Sequence, residues 1–358
     1  MEHQDRKTRA PPSAIQQREA LPQRCLPHVY RQESSRWVLA KFADGGQTLR
    51  HETILKVVCW NLDAFSPDPR ARGSAAMSYL GRMFGDVPGC LVLMLQEVCP
   101  ESLQAILEHP WVQRNFIVSN TEPPESVIRH LPGESFVLVD TVWKCARYFT
   151  LLLVPRSLTI SDCFRVPFVT TMGRDALVVD LVFDDSRSRP RTQGLRLCTT
   201  HLESLWEGKA YRLGQLALVS SLLKGERGAA TEIVGGIVGG DMNAIDRSEH
   251  EFHRVPEVAL KDVWEDEPAP PLPVLKPFQK DITYGRARGN TWGYQSAKAR
   301  ERKRMDKFLY TGSLETVPVT EAQDLTGRMA RLGIGLKTEM LDSWVSDHFG
   351  IAVGIRPM

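Results

Sequence analysis

Four short apolar runs in this chain each adjoin a knot of polar residues. Val57-Val58-Cys59-Trp60 leads into Asn61-Leu62-Asp63. Leu91-Val92-Leu93-Met94-Leu95 leads into Gln96-Glu97-Val98. Gly239-Gly240 leads into Asp241-Met242-Asn243, and Ser346-Asp347-His348 opens Phe349-Gly350-Ile351-Ala352-Val353. Runs this short, apolar on both alternating faces, read as strands buried on both sides. The fold must therefore bring Asn, Glu, Asp and His to strand ends, where side chains can converge on one cleft. Such a set offers hard oxygen ligands for a divalent cation, a base for water and a donor to an oxyanion.

The bulk of the chain sets few further limits. Its 358 residues allow one large domain or two ordinary ones, and 42% hydrophobic with 25% charged content suits a globular protein. A formal net charge of +2 is too small to argue for nucleic acid by itself. No apolar run reaches the roughly 18–20 residues of a membrane helix. The polar, basic start at Met1–Pro12 has no apolar core of a signal peptide, so secretion is not expected. The 7 cysteines are odd in number and contain no Cys-x-x-Cys pair, which gives zinc no support and favours small buried thiols in a reducing compartment.

Along the chain, residues 1–27 are rich in Gln, Arg and Pro without a period and predict a disordered arm. Residues 28–52 predict an extension packed on the domain, with a strand at Trp37–Ala40, and 53–358 predict the catalytic domain. Helices are expected over Arg72–Phe84, Pro100–Leu107 and Trp206–Lys224, the last stopped by Gly225. Strands are expected near 116–119, 136–143, 148–154, 159–166, 176–183, 195–200, 232–240, 305–311 and 349–355. Glu265–Lys280 reads as a Pro-rich surface loop. Strands in bulk with a few long helices do not match strict βαβ alternation; two packed mixed sheets with helices outside do.

Each polar string also has an ordinary reading. Asn61 alone is most often a turn residue, and Asp241-Met242-Asn243 an Asx turn. Glu97 could be a solvated strand end, although a carboxylate beside a buried run is unfavourable unless paired or metal-bound. His348 could be a satisfied core histidine, or a donor to phosphorus oriented by a carboxylate, for which Asp306 is the candidate. Asp306 could equally form a surface ion pair with Lys307 or Arg304. His201 with Ser204 could clamp a phosphate or cap the helix that follows. The basic run Lys298–Arg304 could contact a DNA backbone, be solvated, or serve nuclear import. What carries weight is the order Asn, Glu, His, Asp-x-Asn, Asp, Asp-His, each at an expected strand end.

In that order the strings resemble the endonuclease/exonuclease/phosphatase superfamily from about Leu55 to Ile355. Within it, Trp60–Asp63, Tyr148–Thr150, Thr171–Arg174, His201–Ser204, Asp262–Glu265 and Thr291-Trp292 are most similar to the tyrosyl-DNA phosphodiesterases. The resemblance implies a four-layer α/β/β/α sandwich of two mixed sheets. It implies a Mg²⁺ (or Mn²⁺) ion held by Glu97 and Asn61 with Asp347 near, Asp241 activating water, Asn243 orienting it, and His348 held by Asp306. It further implies substrate contacts from Tyr148, Arg174, His201, Ser204 and Trp292. The expected activity is hydrolysis of 5′-phosphotyrosyl-DNA, as left by trapped topoisomerase 2, by a monomer in the nucleus. The alternatives are another phosphodiesterase of the fold (an abasic-site endonuclease or RNA nuclease) or a binding module that has lost catalysis. The pattern departs at one place: where the family has Arg two residues beyond the Asn, this chain has Ile245. A transition-state cation is then missing or supplied by another residue.

Overall fold

The computed structural model describes residues 21–41, 46–124, 148–184, 193–226, 231–266, 289–295 and 301–358, except 323, 327, 340 and 341. The expected strand at 136–143, most of the 265–280 loop and Lys298–Arg300 lie outside the described residues. The strands are, in the first half, β1 (Gln23–Arg24), β2 (His28–Arg31), β3 (Arg36–Leu39), β4 (Leu55–Asn61), β5 (Leu91–Val98), β6 (Phe116–Val118), β7 (Phe149–Pro155) and β8 (Ile160–Pro167). The rest are β9 (Asp175–Phe183), β10 (Gln193–His201), β11 (Glu232–Asp241), β12 (Lys261–Asp262), β13 (Asp306–Gly312), β14 (Leu314–Val317), β15 (Asp324–Thr326), β16 (Met329–Leu332) and β17 (Gly350–Pro357). They form two mixed sheets, one ordered β1-β8-β9-β10-β11-β13-β12 and the other β15-β16-β17-β4-β5-β7-β6-β2-β3, with β14 beside β17.

Three apolar layers explain why the central strands are apolar on both faces. Val57, Cys59, Val92 and Met94 meet Leu197 and Ile237 between the sheets. Val58, Trp60, Leu93 and Leu95 pack outward on Met77 and Leu80 of the helix Pro69–Phe84. Cys198 and Val238 pack outward on Leu216, Val219 and Leu222 of the helix Lys209–Leu223. This is the α/β/β/α sandwich. Among the described residues no helix is long and apolar enough to cross a membrane.

Several local expectations shift. The first helix starts at Pro69, because Asp68 caps it by accepting from Ala71 N at 3.0 Å. The Trp206 helix starts only at Lys209, and its capping position, Gly208, offers no side chain. Within the expected arm, β1 pairs with Arg165 and Phe164 of β8, and Cys25 is buried. Composition alone does not reveal that pairing, since backbone hydrogen bonds to an edge strand need no particular side chain.

The pairing directions place the site. β4 runs parallel to β5, with Asn61 opposite Gln96; β10 runs parallel to β11, with His201 opposite Asp241. Their antiparallel neighbours β13 and β17 begin where those strands end, so Asp306 lies opposite Asp241 and His348 just precedes β17. Both sheets therefore deliver their polar ends to the same edge of the sandwich. Glycines allow the close approach: a Cβ at Gly240 would collide with the Thr200 carbonyl, and one at Gly239 would lie 2.6 Å from the Phe308 ring.

Candidate active site

Arg72 builds the frame of the site. Its buried guanidinium donates to the carbonyls of Leu62 at 2.6 Å, Ser66 at 2.9 Å, Pro67 at 3.0 Å and Val345 at 3.1 Å, and to that of Asp63. It thus ties the loop after β4 to the segment that carries Ser346-Asp347-His348. Ser346 Oγ then donates to the Asn61 carbonyl at 2.6 Å and accepts from His348 N at 3.0 Å. Nothing in the sequence near Arg72 distinguishes it from a surface helical arginine.

Within this frame the structure gathers Asn61, Glu97, His201, Asp241, Asn243, Asp306 and His348. Asn61 Nδ2 lies 3.2 Å from Asp241 Oδ2 and 3.4 Å from Glu97 Oε1. Asp241 Oδ2 also faces His201 Nε2 at 3.4 Å and His348 Nε2 at 3.7 Å. Asp241 Oδ1 accepts from Asn243 N at 2.8 Å, and the Asn243 amide donates to the Leu202 carbonyl and Ser204 Oγ at 3.0 and 3.2 Å. Asp306 does not make the surface pair that its neighbours suggested. It is fully buried and meets His348 Nδ1 at 2.8 Å, with the Thr291 hydroxyl donating to the same oxygen. Arg304 and Lys307 turn instead to Asp262, at 2.7 and 3.7 Å. In the sequence Thr291 stands out only as part of the string Thr291-Trp292, with no role of its own.

Glu97, Asn243 and Asp63 all take positive φ, at +53°, +46° and +53°. Asn and Asp tolerate this conformation through local hydrogen bonds, but a glutamate does so only where its surroundings impose it. Glu97 Oε2 accepts from Ala64 N at 2.8 Å. Burial pushes the Glu97 carboxyl up to about 7, against smaller opposing effects from the Ala64 hydrogen bond, Arg174 and His348. Asp241 is raised to about 6 by burial, partly offset by His348.

The two histidines differ in charge. Burial and then Arg174 hold His201 well below the usual histidine range. Arg174 Nη1 lies 2.8 Å from His201 Nδ1 and can only donate, so Nδ1 accepts and the ring proton sits on Nε2, facing Asp241. For His348, burial acts downward, but Asp306 and Asp241 outweigh it and carry the ring well above its usual range.

The remaining expected residues also border this cleft. Arg174 Nη2 donates to Ser204 Oγ at 2.7 Å, and its guanidinium lies 4.9 Å from the centre of the Tyr148 ring. Tyr148 is flanked by His201 and by the half-exposed Phe65, edge-on at 5.2 Å. Trp292 Nε1 donates to Asp347 Oδ2 at 2.9 Å, and its backbone bridges to His348. The string His201–Ser204 is not a helix cap. Its Glu203 is buried and accepts from Thr171 N at 2.8 Å and Gln215 Nε2 at 3.1 Å, which holds the loop that presents Arg174.

Glu97 fits a divalent cation. It is a largely shielded carboxylate whose described neighbours are a backbone donor at 2.8 Å, an amide at 3.4 Å and the unprotonated Nδ1 of His201 at 3.9 Å, so its ionised form lacks a contacting counter-charge. Among the described residues, two clusters without Glu97 bring potential ligand atoms close enough together for an ion. In one, Asp241, Asp306 and His348, the Nδ1 of His348 is already taken by Asp306 at 2.8 Å. The other, His253, Asp262 and Glu265, is satisfied by Arg304, Lys307 and Arg254.

This edge of a two-sheet sandwich, with its Asn, Glu, Asp-x-Asn and Asp–His pair, agrees with comparison to known proteins. The chain belongs to the Endonuclease/Exonuclease/phosphatase family, whose model matches residues 58–348, and so falls among the hydrolases of phosphate esters. Similar solved structures include a humanized D. rerio TDP2 (20% identity, TM-score 0.56, 85% of this chain and 99% of that one) and D. rerio TDP2 complexed with single strand DNA product (21%, 0.55, 85% and 100%). The human Nocturnin catalytic domain with bound sulfate is also similar, at 15% identity and TM-score 0.51 over 87% of this chain and 96% of that one. No curated protein matches the sequence.

Proposed function

We propose that this protein is a Mg²⁺-dependent phosphodiesterase (Mn²⁺ serving in its place) that hydrolyses 5′-phosphotyrosyl-DNA. It acts as a monomer on DNA ends in the nucleus and clears peptides such as trapped topoisomerase 2. The observation that carries the reading is the meeting of Glu97, which no cation contacts, an Asp241 flanked by one histidine shifted toward its neutral form and one toward its charged form, and an Asp306-held His348. The ion would be held by Glu97 and Asn61, with Asp347 near, and would neutralise phosphoryl charge.

The side chains divide the remaining work. Asp241, raised to about 6, accepts a proton from water near the operating pH, and Asn243 orients that water. The water oxygen bonds to phosphorus as the bond to the tyrosyl oxygen breaks. The imidazolium of His348, held by Asp306, donates to a phosphoryl oxygen as charge develops. Ser204 and the Nε2–H of His201 hold the phosphate region, while Arg174 fixes both; Tyr148 and Trp292 line the path of the DNA end. A phenolate, with a conjugate-acid pKa of about 10, departs without a dedicated general acid. The products are a 5′-phosphate and a tyrosine hydroxyl.

The test incubates the protein and Mg²⁺ with 5′-phosphotyrosyl, abasic-site and RNA oligonucleotides. The 5′-phosphotyrosyl substrate is expected to be cleaved fastest. Cleavage of only the other two would leave a phosphodiesterase of different specificity.

A further inference from the structure

Ile245 leaves the loop after Asp241 without a side-chain cation where the family places one, yet the structure brings an ammonium to that position from another segment. Lys303 Nζ donates to the Ile245 carbonyl at 3.1 Å and pairs with Glu301 at 3.1 Å, with 18% of its side chain exposed. Ile245 N in turn donates to the Asn243 carbonyl at 2.8 Å, so the loop that Lys303 touches also carries the water-orienting amide.

The backbone fixes which way Lys303 faces. Lys303 and Trp292 exchange hydrogen bonds at 3.1 and 3.0 Å, and Trp292 bridges on its other side to His348. Residues directly opposite in antiparallel pairs present their side chains on one face, about 5 Å apart at each step. His348, Trp292 and Lys303 therefore form a row along the cleft: a cation, an aromatic ring and a second cation. The ion pair with Glu301, which is 73% exposed, holds this ammonium only weakly.

We infer that Lys303 is a substrate-contacting residue, taking a phosphate oxygen of the bound strand from the Ile245 side of the cleft. It supplies there the charge that residue 245 lacks. This rests on the phosphodiesterase reading above, and it deepens it by giving the anionic strand a second cation beyond His348.

The experiment measures binding of a single-stranded 5′-phosphorylated oligonucleotide by fluorescence anisotropy across salt concentrations, alongside KM and kcat on the 5′-phosphotyrosyl substrate. In Lys303→Met the slope of log affinity against log salt is expected to fall by about 0.7, the share of one phosphate contact on a single strand. KM is expected to rise about tenfold with kcat less affected and the melting temperature unchanged. Lys303→Arg should retain the slope, and Ile245→Arg in the Lys303→Met background should return it. A slope unchanged in Lys303→Met, lost equally in Lys303→Arg, or not returned by Ile245→Arg overturns the assignment. If the wild type cleaves no phosphodiester, the functional reading fails, while the anisotropy series still decides the role of Lys303.

Discussion

The two histidines of the site stand on either side of one carboxylate oxygen, at 3.4 and 3.7 Å from Asp241 Oδ2, and differ in what touches Nδ1. His201 has Arg174 there and is neutral; His348 has Asp306 there and is a cation. Both rings are buried, so burial cannot account for the difference. At Nδ1, Arg174 adds to the effect of burial in His201, whereas Asp306, together with Asp241, overrides it in His348.

The largest break comes from removing what the two histidines share. Asp241→Asn is expected to lower kcat by about 10⁴, the upper range for losing a general base, with the melting temperature maintained. Single-turnover kinetics would check this, and retention of full turnover would remove Asp241 from its role.

Breaking one side alone should have a smaller effect. Asp306→Asn leaves Thr291 a partner but takes the charge from Nδ1, so the pKa of His348 should fall and kcat drop by about 10²–10³. NMR titration of the ring reads the first effect and steady-state kinetics the second. On the opposite side, Arg174→Met removes a cation that lowers the pKa of His201. That pKa should rise, and KM should increase by about tenfold as Ser204 loses its donor. An unchanged His201 titration would show that burial alone keeps it neutral.

The smallest effect concerns Glu97, which lies 3.9 Å from His201 Nδ1. Its carboxyl is raised from 4.5 to about 7, so ionisation opposes folding. Stability from this group is fully present below pH 4.5 and is lost as pH rises toward 7. A divalent cation should offset that loss at pH 8 and do nothing at pH 5. The expected signature is a rise in melting temperature of about 2–4 °C with Mg²⁺ at pH 8 only, absent in Glu97→Gln.

The legible parts of this protein are those whose physics is local in sequence. β4 and β5 are legible because strands covered on both faces are apolar at most positions, whereas β10 and β11 show only short apolar cores among Thr, Arg and Gly. Their polar ends were readable because a buried run that stops at Asn, Glu or Asp needs a reason. Contacts that join distant segments were not readable. The link from Arg72 to Val345 spans 273 positions and uses a carbonyl, which every residue has. The Lys303–Ile245 contact is silent for the same reason. β1 escaped notice because two residues pairing with an edge strand carry no pattern.

Gln96 lies at the end of β5, opposite Asn61, yet it is fully buried and donates to Thr199 of the other sheet at 2.8 Å. Apolar layers hold two sheets together without direction, and so permit them to shear. A directed bond resists that shear at the rim where the polar strand ends gather. A second directed link lies at the opposite rim, where Asp266 accepts from Tyr310 of one sheet at 2.8 Å and from Thr316 beside the other at 2.6 Å. The sandwich is thus pinned against sliding at both ends of its oily middle.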